Sequence, residues 1–317
     1  MAYFGLENGA SAFPATQAIR YQKRFRERFR DKSVLPLATN REWQGTFKGV
    51  GTEVDIPVLP TLHSRKTKPG EKVNYDRPKA TMEKFTIGRE RYIALTLEDE
   101  DKLFAGFNIE GPVLEEATKV MSEEVEAEFW ADIPSKVATA NSGNTAGYKS
   151  GHYKLGSSAT PQTLYASKAS LSTNEMLAVD YLLQFPACIK EQPGGKEKPI
   201  RIFVPTVLGY ILQTSELKQA DLTGDAVSML RKDLQVLGNL GGADVIVTDK
   251  LPIYQNSGNV YPVIALDTSA ITFVEEVKIK DKLQSVEEWG DFHRSKLIYD
   301  WFVRYPEFFS VGYVKIG

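Results

Sequence analysis

The sequence has few of the side chains that metal and redox sites commonly use. Its 317 residues include one cysteine, Cys188, and three histidines, His63, His152 and His293. A single cysteine excludes both an intrachain disulfide and a four-cysteine zinc site. Because the histidines stand far apart and no His-Glu-x-x-His pattern occurs, we predict no metal site. Cys188 follows the apolar stretch Phe185-Pro-Ala, which favours a buried structural thiol over a nucleophile.

Long apolar runs and nucleotide-binding loops are also lacking. No run approaches the ~18–20 apolar residues that span a bilayer, and the N-terminus has no signal-peptide pattern. We therefore expect a soluble protein that folds in a reducing cytoplasm. No Walker-type loop or Gly-x-Ser-x-Gly elbow occurs, and Gly49-Val-Gly51 lacks the third glycine of a dinucleotide loop. Carboxylate pairs are plentiful, but nothing selects one for acid–base chemistry. We predict no catalytic residue and no cofactor.

Charge is strongly segregated along the chain, although the net charge is only −2. Residues 19–33 carry seven cations and two acids, a local net charge of +5. Residues 98–132 carry twelve acids and two lysines, a local net charge of −10. Within the basic segment, Tyr21, Phe25 and Phe29 recur every four residues and would share one face of a helix. The segment indicates an arm that docks on an acidic protein surface or on nucleic acid.

Two strand patterns flank a polar, cationic stretch. Residues 52–59 alternate with period two, and residues 84–97 form a second strand-like run. Pro57 restricts the first strand to an edge or an irregular pairing. Between the two runs, residues 63–72 are polar and contain the turn signal Pro69-Gly70. We predict a long hairpin with a cationic tip, which rests on another surface because an isolated hairpin is marginally stable.

A long amphipathic helix is the clearest single element. It is predicted to begin at Pro112, a residue type favoured at the first helical position, and to end at Pro134. About 22 residues would span roughly 33 Å. One side is heavily acidic, and the apolar positions recur at helical spacing: Val113, Ala117, Val120, Met121, Val125 and Phe129.

The middle of the chain predicts a compact α+β region. Residues 140–172 have little periodicity and indicate an irregular connection. A capping box, Ser172-x-x-Glu175, would open a helix that ends or kinks at Pro186. A second helix is predicted over residues 225–237. Strands are predicted over residues 200–204, 243–248, 260–266 and 271–279.

Aromatic residues are concentrated near the end of the chain. Nine of the 25 residues from 289 to 313 are aromatic, whereas aromatic residues make up 11% of the whole chain. Two strand-like runs flank Pro306. Packing in a core or an interface is the simpler interpretation, and a surface that stacks on sugars or bases is the alternative.

The order of these parts resembles the major capsid protein of tailed bacteriophages, the Hong Kong 97 fold. Residues 51–97 are similar to its extended loop, residues 112–133 to its long spine helix, and residues 294–314 to the closing strands of its peripheral domain. Segments 174–185, 200–208 and 243–252 are similar to successive elements of its axial domain. The resemblance covers nearly the whole chain and rests on architecture, since the family has no catalytic signature to match.

The resemblance implies an α+β fold divided into five parts. These are an N-terminal arm over residues 1–45, an extended hairpin loop over 46–97, a peripheral domain with the spine helix over 98–172, an axial domain over 173–280, and return strands of the peripheral domain over 281–317.

The implied function is a coat protein that forms hexamers and pentamers of an icosahedral shell around double-stranded DNA, which it contacts without sequence recognition. It would be assembled in the host cytoplasm and reside in the virion, with no membrane partner. The implied partners are further copies of the same chain, a portal and a separate scaffolding protein. The resemblance leaves open whether a decoration protein also binds. An encapsulin-like compartment and a soluble carbohydrate-active enzyme are the alternatives.

Charge complementarity across copies is the expected use of the segregated segments. The candidate intersubunit contacts are Arg24, Arg26, Arg28, Arg30, Arg65, Lys66, Lys68, Glu115, Glu116, Glu123, Glu124 and Glu126.

Overall fold

The fold is described from a computed structural model of the chain. The described residues are 33–42, 53–58, 64–66, 72, 75, 77, 79, 81–98, 110–168, 170–215, 236–284 and 290–317. They form four α-helices: α1 (Leu35–Ala38), α2 (Glu110–Asp132), α3 (Ala178–Lys190) and α4 (Thr206–Thr214). They also form thirteen strands: β1 (Glu53–Val58), β2 (Thr81–Thr86), β3 (Arg89–Glu98), β4 (Gln162–Tyr165), β5 (Glu175–Leu177), β6 (Ile200–Pro205), β7 (Val236–Leu240), β8 (Ala243–Thr248), β9 (Tyr254–Gln255), β10 (Asn259–Asp267), β11 (Ile271–Gln284), β12 (Gly290–Val303) and β13 (Phe309–Ile316).

The largest sheet contains eight strands and is buried on both faces. Its order is β5-β4-β13-β10-β6-β8-β7, with β9 attached to β10. In β8, Val245 packs into the core that contains α3 and α4, whereas Ile246 packs into the core that contains α2. Alternate residues point to opposite faces of a strand, so the apolar run of residues 245–247 within β8 supplies both cores.

A three-stranded sheet carries the long helix. Its order is β11-β12-β3, and every pair is antiparallel. β11 and β12 each span 14 residues, and their register shifts between Val277 and Ile279. α2 contacts β3 along one face of this sheet, which places the acidic helix against the arginines of β3.

The predicted hairpin exists, but its second strand is divided. β1 and β2 pair antiparallel from Glu53↔Thr86 to Val58↔Thr81. After Gly88 the chain enters β3, which pairs with β12 instead. Ile56, Phe85 and Ile87 are buried against Val274 and Ile298. The base of the hairpin thus rests on the three-stranded sheet of its own chain.

Other boundaries follow the sequence closely. The long helix, β6, β8, β10, β11 and the two strands around Pro306 occupy the predicted segments, and β8 matches to the residue. Within the aromatic segment, Tyr299, Trp301 and Phe309 are buried in one core, as the packing interpretation predicts.

One prediction in the middle of the chain was wrong, a second fails at its end, and a helix was missed. The Glu175 carboxylate accepts a hydrogen bond from the Ser172 backbone N–H at 2.9 Å, but the capped segment forms strand β5 beside β4. The helix begins at Ala178 and continues through Pro186 to Lys190. The predicted helix over 225–237 fails at its end, because 236–237 belong to β7, and its other residues lie outside the described ranges. Helix α4 was not predicted.

Candidate assembly surface

The second half of α2 is packed firmly onto the protein. Met121, Val125, Phe129 and Trp130 are all buried there. The Phe129 ring meets Trp130 edge-on at a centroid distance of 5.0 Å and Trp301 at 5.5 Å. Edge-to-face aromatic pairs stabilise by about 0.5–1.5 kcal/mol beyond their buried area, so this half of the helix is held by apolar contact before any charge is considered.

Two arginines of β3 bind the acidic side of the same half. Arg91 Nη1 lies 2.6 Å from Glu124 Oε2, and Arg91 Nη2 lies 3.0 Å from Glu128 Oε2. Arg89 pairs with Glu128, and its Nη2 lies 3.1 Å from Asp132 Oδ2. Residues 89 and 91 share one strand face, and acids four apart share one helix face. The spacing alone therefore aligns the two charged rows, which we call the α2–β3 ionic network.

Strand β12 adds two hydrogen-bond donors to this network. Tyr299 Oη donates to Glu128 Oε2 at 2.5 Å, and Trp301 Nε1 donates to Asp132 Oδ2 at 2.6 Å. The Arg89 guanidinium also lies 3.8 Å from the centroid of the Trp301 ring, within the range of a cation–π contact. Glu128 and Asp132 are therefore each bound by groups from two strands.

The network shifts the pKa of Glu128, Asp132 and Tyr299 in the directions that strengthen it. Partial burial acts to raise the pKa of the Glu128 carboxyl, but hydrogen bonds from Tyr299, Arg91 and Arg89 outweigh burial and lower it. The pKa of Asp132 is lowered in the same way, against burial, by Lys136 and Trp301. Burial, together with the hydrogen bond to Glu128, raises the pKa of Tyr299 to about 12.

Acid is expected to weaken the attachment of α2. Since the pKa of Glu128 and that of Asp132 are lower in the folded chain, their stabilisation is complete above the unfolded values of about 4 and is lost as pH falls through the folded values. We expect Glu128→Gln to lower the free energy of unfolding by roughly 1–3 kcal/mol at pH 7. In this variant the free energy of unfolding should also fall less steeply than in the parent chain as the pH drops below 5. Urea unfolding from pH 3 to pH 7 measures both effects.

Glu115→Gln is the matched control, because Glu115 is an exposed acid on the same helix. Its effect should stay within about 0.5 kcal/mol at every pH. An equal loss in both variants, or an unchanged pH slope in Glu128→Gln, would show that the network does not hold the helix.

The predicted contact residues fall into three groups. Arg24, Arg26, Arg28, Arg30 and Lys68 lie outside the described residues. Arg65, Lys66 and Glu115 are exposed, and Glu116 is half-buried. Glu123 Oε1 lies 3.7 Å from Lys250 Nζ, and Glu124 is bound by Arg91, so two of the acids already have partners within the chain.

Glu126 is the exception among the candidates, because it lies inside its own chain. It is 2% exposed. Its Oε1 accepts hydrogen bonds from the Val34 backbone N–H and from Trp130 Nε1, both at 3.2 Å. A carboxylate with this burial fixes the start of the described chain to α2, and we leave Glu126 out of the proposed intersubunit contacts.

Sequence reasoning missed Arg89 and Arg91. The available signal was the pair of arginines two apart in a strand pattern, combined with acids at 124, 128 and 132 on the long helix. Recognising it requires placing β3 beside α2, which separate segment patterns do not reveal.

The first half of α2 contacts the protein differently. Between it and strands β3 and β12 the described residues leave a cavity of about 210 Å³. Apolar side chains form most of its wall, with Leu114, Ala117 and Met121 on the helix and Ile93 and Leu95 on β3. The helix is therefore tightly attached at one end and loosely packed at the other.

The described residues contain no cluster of three or more potential metal ligands, and none of their helices is long and apolar enough to cross a membrane. Burial raises the pKa of the Cys188 thiol to about 12, so this thiol stays protonated at neutral pH, in line with a structural role.

Three bacteriophage structures have this architecture. A chain in the structure of Mycobacterium phage Che8 is 18% identical, with a TM-score of 0.62 over 96% of this chain and 98% of that one. The capsid structure of the cyanophage P-SCSP1u gives 13% identity and a TM-score of 0.63 over 100% and 99%. A chain of the mature capsid of bacteriophage PhiM1 is 13% identical, with a TM-score of 0.63 over 96% of this chain and 92% of that one.

Sequence comparison adds no relative, because no protein-family model and no curated protein matches the chain. The structural similarity extends over essentially the full length of both partners in each comparison. The chain therefore has the fold of phage capsid proteins, which confirms the predicted Hong Kong 97-like α+β class.

Proposed function

We propose that this chain is a major capsid protein that self-assembles into hexamers and pentamers of an icosahedral shell enclosing double-stranded DNA. The observation that carries the proposal is the agreement of fold over 96–100% of the chain with phage structures, two of them described as capsids. The match extends over the whole chain, and the proposal rests on this analogy of fold with capsid structures, not on a catalytic or binding site.

The distribution of charge supports contacts between copies. The basic arm and the cationic hairpin residues Arg65 and Lys66 would meet acidic surfaces of neighbours, including the exposed Glu115. Single exposed ion pairs contribute only ~0–1 kcal/mol each, so their role would be to set register and partner choice while apolar contacts supply affinity.

Further partners belong to the same proposal. A portal and a separate scaffolding protein would share the inner side of the shell, and the DNA would be held without base recognition. The role is structural, in the virion, after assembly in the host cytoplasm. No observation on this chain favours an encapsulin-like compartment or a carbohydrate-active enzyme over this reading.

Electron microscopy of the purified chain, expressed alone and with a scaffolding protein, tests the proposal. We expect closed shells with icosahedral symmetry. A chain that stays a monodisperse folded monomer under all these conditions would contradict it, and shells that hold protein cargo without DNA in infected cells would point to a compartment.

Reversing charge in the arm should impair assembly without unfolding the protomer. We expect Arg24→Glu, Arg26→Glu and Arg28→Glu together to lower shell yield at least tenfold, while thermal unfolding of the protomer changes little. Gradient sedimentation measures the yield.

The control reverses three exposed lysines elsewhere, Lys149→Glu, Lys154→Glu and Lys196→Glu, which changes net charge equally. A normal shell yield from the arm variant, or an equal loss of shell yield in the control, would contradict the docking role of the arm.

A further inference from the structure

A long segment in the middle of the chain carries no acidic side chain. Residues 133–174 contain four lysines and neither aspartate nor glutamate, although the whole chain has 41 acids among its 317 residues. The segment begins directly after the acidic helix α2, which ends at Asp132. It is a third region of one charge sign, besides the arm and α2, and the contacts between copies proposed above make no use of it.

Two of the four lysines are bound within the chain, and two are not. Lys136 and Lys168 form ion pairs with the acids that flank the segment, at 2.7 Å and 2.5 Å between nitrogen and oxygen. Lys149 and Lys154 are exposed, and neither forms an ion pair with any other residue in the described ranges. These two ammonium groups are therefore available to an anionic partner.

Both of these lysines belong to a short loop whose shape is fixed, which we call the lysine loop (residues 146–154). Ala146 and Tyr153 exchange backbone hydrogen bonds of 2.9 Å and 3.0 Å, so the chain reverses direction between them. Within the turn, Ser150 Oγ donates to Glu191 Oε2 at 3.1 Å, which ties the loop to the end of α3 and occupies this carboxylate. A loop that is already ordered loses little conformational freedom when it binds.

The exposed side chains of the lysine loop suit phosphate groups. Lys149 and Lys154 supply ammonium groups, and Tyr148, which is 54% exposed, supplies a phenol O–H. His152 is also exposed and has ring nitrogens that can donate. Lysine and tyrosine are among the side chains that bind the phosphate oxygens of DNA, and such contacts position a duplex without reading its sequence.

A partner of uniform negative charge accounts for the missing acids better than a second protein surface does. Double-stranded DNA carries one negative charge per ~1.7 Å of helix axis, so a carboxylate on a surface that faces it would be repelled. Protein surfaces carry both signs of charge, and lysine is depleted where proteins bind one another. The composition of residues 133–174 therefore favours nucleic acid as the partner of the lysine loop.

We propose that the lysine loop binds the phosphate backbone of the packaged double-stranded DNA, with Lys149 and Lys154 as its main contacts. This rests on the proposed function, which supplies the DNA, and deepens it by assigning the loop to the inner wall of the shell. Two lysines bind weakly alone, but the contact repeats with every copy in the shell, so that many weak contacts act together. The loop takes no part in shell assembly, in agreement with the use of both lysines as control positions for the arm.

The salt dependence of DNA binding tests the contact in the unassembled chain. The binding of a short labelled DNA duplex is followed by fluorescence anisotropy from about 50 to 200 mM salt, a range over which phosphate contacts weaken strongly. Lys149→Gln combined with Lys154→Gln should lower the affinity at least tenfold at about 0.1 M salt. The slope of the logarithm of the binding constant against that of the salt concentration should become shallower by about 1.8, since each phosphate contact contributes ~0.9.

The matched control is Lys119→Gln combined with Lys196→Gln, which changes the net charge equally at exposed positions outside the loop. Its affinity should stay within about twofold of the parent chain, with an unchanged slope, because neither lysine makes a phosphate contact. An unchanged affinity in the loop variant, or an equal loss in the control, would overturn the proposal.

Acetylation of amines locates the contact directly. Adding the DNA duplex should slow the acetylation of Lys149 and Lys154 at least fivefold, measured by mass spectrometry of a digest, and leave Lys119 and Lys196 unaffected. Protection of the loop by assembly into DNA-free shells would instead assign it to a contact between copies and overturn the proposal.

Shell formation is scored separately by electron microscopy. A chain that forms shells but shows no loop-dependent DNA binding would overturn this inference and leave the proposed function standing. Loop-dependent binding by a chain that never forms shells would support the contact and contradict the proposed function.

Discussion

Gly312→Ala is expected to prevent the chain from folding stably. Gly312 is buried in β13, where an added Cβ would lie 2.6 Å from the Leu155 carbonyl oxygen, 2.8 Å from Phe185 Cζ and in contact with the Tyr181 hydroxyl. These groups cannot retreat, because the Leu155 oxygen accepts hydrogen bonds from Tyr181 Oη at 2.7 Å and from the Tyr313 backbone N–H at 2.9 Å. Overpacking of this kind costs about 3 kcal/mol or more. Soluble yield and urea unfolding measure the loss.

Gly111→Ala is the matched control, since nothing lies within 4 Å of an added Cβ there. Because Gly111 lies in α2, alanine should leave stability unchanged or raise it by up to ~1 kcal/mol. A Gly312→Ala protein as stable as the parent would mean that β13 does not run this close to α3.

Replacing Asn141 is expected to have the second large effect. This fully buried amide donates to the backbone carbonyls of Glu307 at 2.7 Å and Phe309 at 3.0 Å, and it accepts from Gln192 Nε2 at 2.8 Å. Asn141→Leu would leave the buried Phe309 carbonyl and the buried Gln192 amide unsatisfied, at about 1–3 kcal/mol for each group, and would also remove the part-buried hydrogen bond to the Glu307 carbonyl. We expect a loss of at least ~3 kcal/mol by urea unfolding, and a larger loss for Asn141→Asp, whose carboxylate would face two carbonyl oxygens.

The control is Asn174→Ala, which removes an exposed amide side chain and keeps the backbone carbonyl that accepts from Thr163. It should change stability by no more than about 0.5 kcal/mol. If Asn141→Leu matched this control, the hydrogen bonds at Asn141 would contribute nothing net to the fold.

Elements with a strong apolar pattern and with glycine or proline near their ends were predictable from the sequence. β8 follows Gly241-Gly242 and contains an apolar run, and α2 has a long apolar row with prolines near both ends. β5 could not be predicted, because Ser172 and Glu175 form the local contact of a helix cap, yet pairing with β4 determines what the next residues become. A tertiary contact overrode a correct local signal. Helix α4 is mostly apolar, and a short apolar run does not distinguish a helix from a strand.

The charges of the candidate surface could be predicted from the sequence, but the residues with which they pair could not. The opposite signs of the two segments were evident from the sequence, whereas the use of Glu124, Glu128 and Asp132 by Arg89 and Arg91 depends on which strand lies beside α2. Glu126 shows the same limit, since nothing in the sequence separates it from the neighbouring acids of the helix and only the tertiary fold buries it.

The position of β13 has a consequence for when the protein can form. β13 lies in the interior of the eight-stranded sheet, with β10 on one side and β4 on the other, and it provides Phe309 and Val311 to one core and Val314 to the other. A nascent chain therefore cannot close this sheet until the ribosome has added residues 309–316. Chains cut short before that point would lack the strand that joins the two cores and would fail to fold. The order in which the strands are synthesised thus delays closure of the eight-stranded sheet until β13 has been made.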